Sequence, residues 1–126
     1  MRKIVLIKMF LFLWLVGATL SFVLHIFYPD LISYLSLWNI SVGWQREIAL
    51  WNLGASIGII YALIKNNSQI YKFTMGLLLV ISLLLGVNHL AALIIDKEAM
   101  LINLLGAILN LTIVVFGGFI LKNEKN

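Results

Sequence analysis

Four long apolar stretches take up most of this chain, at about Met9 to Tyr28, Ile48 to Ile64, Phe73 to Ile95 and Ala99 to Leu121. Each approaches the roughly 20 residues that an α-helix needs to cross a hydrocarbon core. Lone strands leave their backbone groups unpaired in lipid, and the alternating ~10-residue segments of a membrane barrel are absent. Helices are therefore the only spanning structure open to it. The 126 residues are 63% hydrophobic and 11% charged, with a mean hydropathy of +1.07. A soluble domain carries about 25% charged residues, and a chain this short has too little interior to hide so much apolar surface from water. The expectation is a single all-α domain over residues 1–126, an integral membrane four-helix bundle.

Charge supports the bilayer and argues against nucleic acid. The net charge is +4, but the basic residues sit at the ends of apolar stretches rather than in one stripe. Arg2, Lys3, Lys8, Lys65, Lys72, Lys122 and Lys125 fall on one side of the predicted layout, and only Arg46 and Lys97 on the other. That bias predicts an inner-membrane protein with both termini cytoplasmic. The basic N-terminus followed by apolar residues could also suit a cleaved signal sequence. Its apolar run is long for one, and continues through Phe22, Val23, Leu24, Ile26 and Phe27. No cysteine is present, so disulfides, thiolate metal sites and thiol redox chemistry are excluded.

The connections differ in character. KNNSQIYK is a short polar loop in which Asn67 or Ser68 is placed to cap the third helix, and in DKEA Asp96 is placed to cap the fourth, with Glu98 in its first turn. Short loops predict antiparallel neighbours. The first connection, PDLISYLSLWNISVGW, is longer. Leu31, Tyr34, Leu35, Trp38 and Val42 recur at helical spacing, which predicts a short amphipathic interfacial helix between the first two spans. Tyr34, Trp38 and Trp44 suit an aromatic belt there, and Pro29 ends the first span.

Within each span, small and polar residues line up. The first has Trp14, Gly17, Ser21, His25 and Tyr28. The second has Glu47, Trp51, Gly54, Gly58 and Tyr61, with Asn52 and Ser56 on a neighbouring face. The third has Ser82, Gly86 and His89, with Asn88 beside His89; the fourth has Asn103, Gly106, Asn110 and Gly117. Such stripes are expected to face the bundle, and the Gly54/Gly58 pair also suits an oligomer contact. His25, Arg46, Glu47, Asn52, Asn88, His89 and Asn103 all fall in the outer half under the predicted orientation. They are the candidate lining of an outward-facing polar pocket, since ionisable groups within a membrane are functional candidates by default. Each also has a structural reading: Arg46 snorkelling to headgroups, Glu47 at a helix N-terminus, His89 bonded locally, the asparagines as interhelical glue.

The stretch WQREIALWNLG (Trp44 to Gly54), followed by GVNHL (Gly86 to Leu90), resembles the DUF6790-type small four-helix membrane proteins, related in outline to the DoxX-like group. The family pattern opens its second helix with Q-R-E-[IV]-G-x-x-N-[LF]. Gln45, Arg46, Glu47, Asn52 and Leu53 match it, and Ala49 stands where Gly is usual. Gly86 and His89, separated by Val87 and Asn88, stand at the helix-three element. The resemblance implies a four-helix fold and a membrane location, and the DoxX-like association with quinone-linked redox processes is an analogy. Small multidrug transporters share the length and helix number but use an acidic residue in their first helix, where this chain has none.

Three functions are compatible with the residues. The first is an accessory or binding protein that holds a small amphipathic molecule, a lipid or a quinone. The second is a redox protein with b-type haem between His25 and His89. The third is a small proton-coupled transporter using Glu47 and His89. No cofactor is specified, and Ser21, Ser56 and Ser82 lack a nucleophile–base arrangement, so an enzyme is not the expectation.

Overall fold

The computed structural model describes residues 2–36, 41–95 and 100–122. It has five helices: α1 (Arg2–Phe27), α2 (Pro29–Ser36), α3 (Val42–Lys65), α4 (Ser68–Ile95) and α5 (Met100–Lys122). Four of them, all but α2, are long and apolar enough to span a membrane. At 26 residues α1 reaches about 39 Å, longer than the ~30 Å hydrocarbon core. This is an all-α, multi-pass membrane fold. Trp38, Asp96, Lys97, Glu98 and Lys125 lie outside the described residues, as do the side chains of Tyr34 and Leu35.

Local chemistry sets the helix ends. Pro29 has no N–H, so it is tolerated at the first position of α2, and α1 stops just before it. Ser41 is extended (φ −62°, ψ 146°), and its Oγ accepts from the Trp44 N–H at 3.2 Å, which caps α3. The helix therefore begins more than a turn before Ile48. Gln45, Arg46 and Glu47 lie within its first two turns rather than ahead of it. At the other end Asn66 is left-handed (φ 49°, ψ 38°), which closes α3. Of the two candidates Asn67 and Ser68, Asn67 is the cap of α4: its Oδ1 accepts from the N–H groups of Gln69 (2.8 Å) and Ile70 (3.3 Å).

Packing is strongest within two pairs, α1 with α3 and α4 with α5. The pairs join at the end that carries the termini. There Ile7, Phe10 and Leu11 of α1 meet Ile59 and Ala62 of α3, Tyr71, Met75 and Leu78 of α4, and Ile120 of α5 in one buried cluster. A polar knot closes the same end. Lys8 Nζ and Tyr71 Oη both donate to Asn66 Oδ1 at 2.8 Å, and the ammonium lies 5.3 Å from the Tyr71 ring centroid. Large apolar side chains cover the outside, as lipid-facing surfaces require: Ile64, Ile94, Ile95 and Val115 are among the most exposed.

Three of the expected stripes hold in whole or part. Ser82, Gly86 and His89 face inward on α4, as do Asn103, Gly106, Asn110 and Gly117 on α5. On α1 Trp14, Ser21 and His25 are half-buried, whereas Gly17 and Tyr28 are exposed. On α3 the expectation is overturned. Trp51 is 81% exposed, Gly54, Gly58 and Tyr61 face outward, and a Cβ on either glycine would meet nothing within 4 Å. The buried face is the neighbouring one, Gln45, Ala49, Ser56, Ile59 and Ala62. The physical reason is a difference in cost. An amide turned to lipid loses its hydrogen bonds, whereas a glycine turned to lipid loses only packing area.

Candidate functional site

The polar residues away from the termini form two groups, one within each helix pair. The first joins α1, α2 and α3. Gln45 is 1% exposed, and its Nε2 donates to the Pro29 carbonyl at 2.9 Å, tying α2 to α3. The same side chain lies within hydrogen-bonding reach of the His25 imidazole, although among the described residues neither His25 Nδ1 nor Gln45 Oε1 closes a full hydrogen bond. Deeper in the pair the Thr19 and Ser56 hydroxyls meet at 3.4 Å, and Ser56 also donates to the Asn52 carbonyl. Asn52 Nδ2 donates to the Ile48 carbonyl of its own helix at 2.9 Å.

The second group joins α4 and α5. His89 Nδ1 and Asn103 Oδ1 lie 3.2 Å apart. An amide oxygen only accepts, so in this pairing Nδ1 carries the proton. The far edge of the ring rests on Gly106, where a Cβ would stand 2.6 Å from Nε2. Asn103 is 1% exposed, and among the described residues its Nδ2 has no partner. Asn110 Nδ2 returns to the Gly106 carbonyl at 2.9 Å.

The structure thus brings His89 and Asn103 together and sets His25 beside Gln45. Arg46 and Glu47 are exposed on the first turns of α3, and Asn88 is exposed on α4. Among the described residues no side-chain hydrogen bond is seen to join the first group to the second. Gln45 is the residue that the candidate set omits. Its signal was available: positions 45, 49, 52 and 56 recur at helical spacing and carry Gln, Ala, Asn and Ser. The Lys8–Asn66–Tyr71 knot also escapes a reading that looks only for polar residues inside the spans.

Two open grooves occur elsewhere and are apolar. One follows α5 past Ile108, Leu111, Thr112, Val115, Phe116 and Phe119; the other lies beside Lys8, Met9, Phe12 and Leu13. Among the described residues no three His, Asp or Glu side chains gather as a metal-binding set. No protein family, no curated protein and no solved structure matches the chain.

Proposed function

We propose that this is an accessory or binding protein of the cytoplasmic membrane, with both termini cytoplasmic, that holds a small amphipathic molecule at the end away from the termini. One observation carries the reading. Among the described residues Asn103 Nδ2, buried in that half, has no hydrogen-bond partner, and His25 Nδ1 and Gln45 Oε1, on neighbouring side chains, close no full hydrogen bond. Each such group costs about 1–3 kcal/mol when left unmade, so polar atoms of a bound molecule gain by reaching it. His25, Gln45, His89 and Asn103 provide the polar contacts. Arg46, Glu47, Asn52 and Asn88 line or flank the approach, and the apolar outer surfaces accommodate chains of lipid type. The proposed orientation rests on the basic residues that crowd the terminal end.

Native mass spectrometry of protein released gently from membranes tests the reading. A co-purified lipid or quinone, lost on Gln45→Leu or Asn103→Leu in protein that stays folded, is the expected result. Protein that carries no amphipathic molecule, or binds one equally well after both substitutions, would overturn it.

A further inference from the structure

Lys8 is a cation inside an apolar span. It lies four residues, about 6 Å, along α1 from the start of that span at Ile4. Its ammonium reaches the level of the α3–α4 turn, where it donates to Asn66 Oδ1 at 2.8 Å and stands 5.3 Å from the Tyr71 ring centroid. Both partners are neutral. The amide oxygen takes one of three N–H donors, and among the described residues no carboxylate compensates the charge. The sequence has few to offer. Of its five acidic residues, Asp30, Glu47, Asp96 and Glu98 fall in or beside the two connections at the opposite end, and only Glu124 on the terminal side.

The same side chain borders a groove. Lys8, Met9, Phe12 and Leu13 line it. Positions 8 and 12, like 9 and 13, are one turn apart, so two neighbouring ridges of α1 run along it. Met9, Phe12 and Leu13 are exposed and apolar. The groove therefore has apolar walls and a cation toward its terminal end. The groove along α5 has no charged residue in its lining, so it offers nothing that tells one headgroup from another.

We propose that the α1 groove seats an acyl chain of an anionic phospholipid, from the leaflet that meets the termini, with the lipid phosphate on the Lys8 ammonium. The occupant follows from charge complementarity. A phosphate compensates the cation and accepts the donors that Asn66 leaves over, in a charge-assisted bond. A zwitterionic lipid also brings a phosphate, but carries its own ammonium into an end that holds Arg2, Lys3, Lys65, Lys72 and Lys122. Phosphatidylglycerol brings the phosphate charge alone. This site is separate from the polar groups at the other end and stands whether or not they hold a ligand.

The test is native mass spectrometry of the full chain released from nanodiscs of equal phosphatidylglycerol, phosphatidylethanolamine and phosphatidylcholine. One phosphatidylglycerol should be retained about tenfold over either zwitterionic lipid, the ratio that one charge-assisted hydrogen bond supports. Lys8→Gln should abolish that preference and Lys8→Arg should keep most of it, both judged on protein whose helical signal melts cooperatively. Lys122→Gln removes a charge from the same end but not from the groove, and should leave the preference in place. Phe12→Ala opens one wall beside an unaltered Lys8 and should weaken retention. If Lys8→Gln does not fold, the three-lipid comparison and Phe12→Ala still decide. Equal retention of the three lipids overturns the proposal. Equal losses at Lys8→Gln and Lys122→Gln also overturn it, because they show a diffuse field rather than a site. Retention untouched by Phe12→Ala overturns the groove as the seat. A dimer that carries no lipid shows that a second copy covers this face, and overturns it as well.

Discussion

The His89 ring lies against the Gly106 backbone, close enough that a Cβ at residue 106 would stand 2.6–2.7 Å from three of its ring atoms. No real Cβ sits so near, so the ring or the helix would have to shift, and shifting the ring breaks the contact with Asn103. Gly106→Ala is expected to destabilise the bundle by about 1–3 kcal/mol, the range for overpacking. Gly58→Ala is the control. Its added methyl meets nothing within the chain, and replacing a helical glycine should stabilise by roughly 0.5–1 kcal/mol. Thermal unfolding in detergent measures both. A loss at Gly58→Ala would show that something outside this chain, such as a second copy, packs on the Gly54/Gly58 face.

The His89–Asn103 pair should behave as a unit. Removing either partner leaves the other with an unmade hydrogen bond between α4 and α5. A double-mutant cycle with His89→Leu and Asn103→Leu should give a coupling near 0.6 kcal/mol, the average for membrane hydrogen bonds. In ligand-free protein Glu47→Gln and His89→Gln are expected to be additive in stability, since Glu47 is exposed on the other helix pair. Coupling between them that appears only in ligand retention would join the two groups through a bound molecule.

The three residues of QRE should separate cleanly. Gln45→Leu removes the donor to Pro29 from a side chain packed among α1, α2 and α3, and is expected to cost about 1–3 kcal/mol. Arg46→Gln and Glu47→Gln alter exposed side chains and should change stability by no more than about 0.5 kcal/mol. Equal losses at all three positions would mean that α3 is rotated from the face described.

That contrast also marks what the sequence made legible. The four spans, the break at Pro29 and the cap at Asn67 follow from apolar length and local backbone chemistry, and so can be read without tertiary information. On α4 and α5 the small and polar residues share one face, so Ser82–Gly86–His89 and Asn103–Gly106–Asn110 pointed inward without ambiguity. On α3 they occupy two faces. Counting Gly54 and Gly58 as packing residues favoured the wrong one, whereas the cost of an unpaired amide at Gln45 favours the observed one. Which helices pair was not legible, because α3 packs chiefly on α1 although its shortest connection leads to α4.

The orientation of the bundle can be checked independently of any ligand. Reporter fusions at Lys125 and within Ser33 to Ser41 should read opposite sides of the membrane, with Lys125 cytoplasmic, given the concentration of lysine and arginine at the terminal end. Both reporters on one side would remove a span from the fold; opposite sides with Lys125 outside would invert it.

The knot at the terminal end separates backbone from side-chain effects at one residue. Asn66 holds a left-handed backbone (φ 49°) that costs most residues roughly 1–2 kcal/mol, asparagine and glycine least. Its Oδ1 also accepts from both Lys8 and Tyr71, and Tyr71 Oη reaches the Leu63 carbonyl at 3.4 Å. Asn66→Gly keeps the backbone and removes the acceptor, so its cost reports the knot. Asn66→Ala removes the acceptor and strains the backbone as well, and should lie about 1 kcal/mol lower than Asn66→Gly. Tyr71→Phe removes the hydroxyl from a buried ring while retaining its packing against Met75 and Leu78. It should reproduce part of the glycine variant's loss, and little of it should add when Asn66→Gly is already present. Thermal unfolding of the three single variants and the Asn66→Gly/Tyr71→Phe double variant gives the cycle. Full additivity would show that the Asn66 and Tyr71 side chains act independently, and would leave the Lys8–Asn66 bond as the polar tie between α1 and the α3–α4 turn.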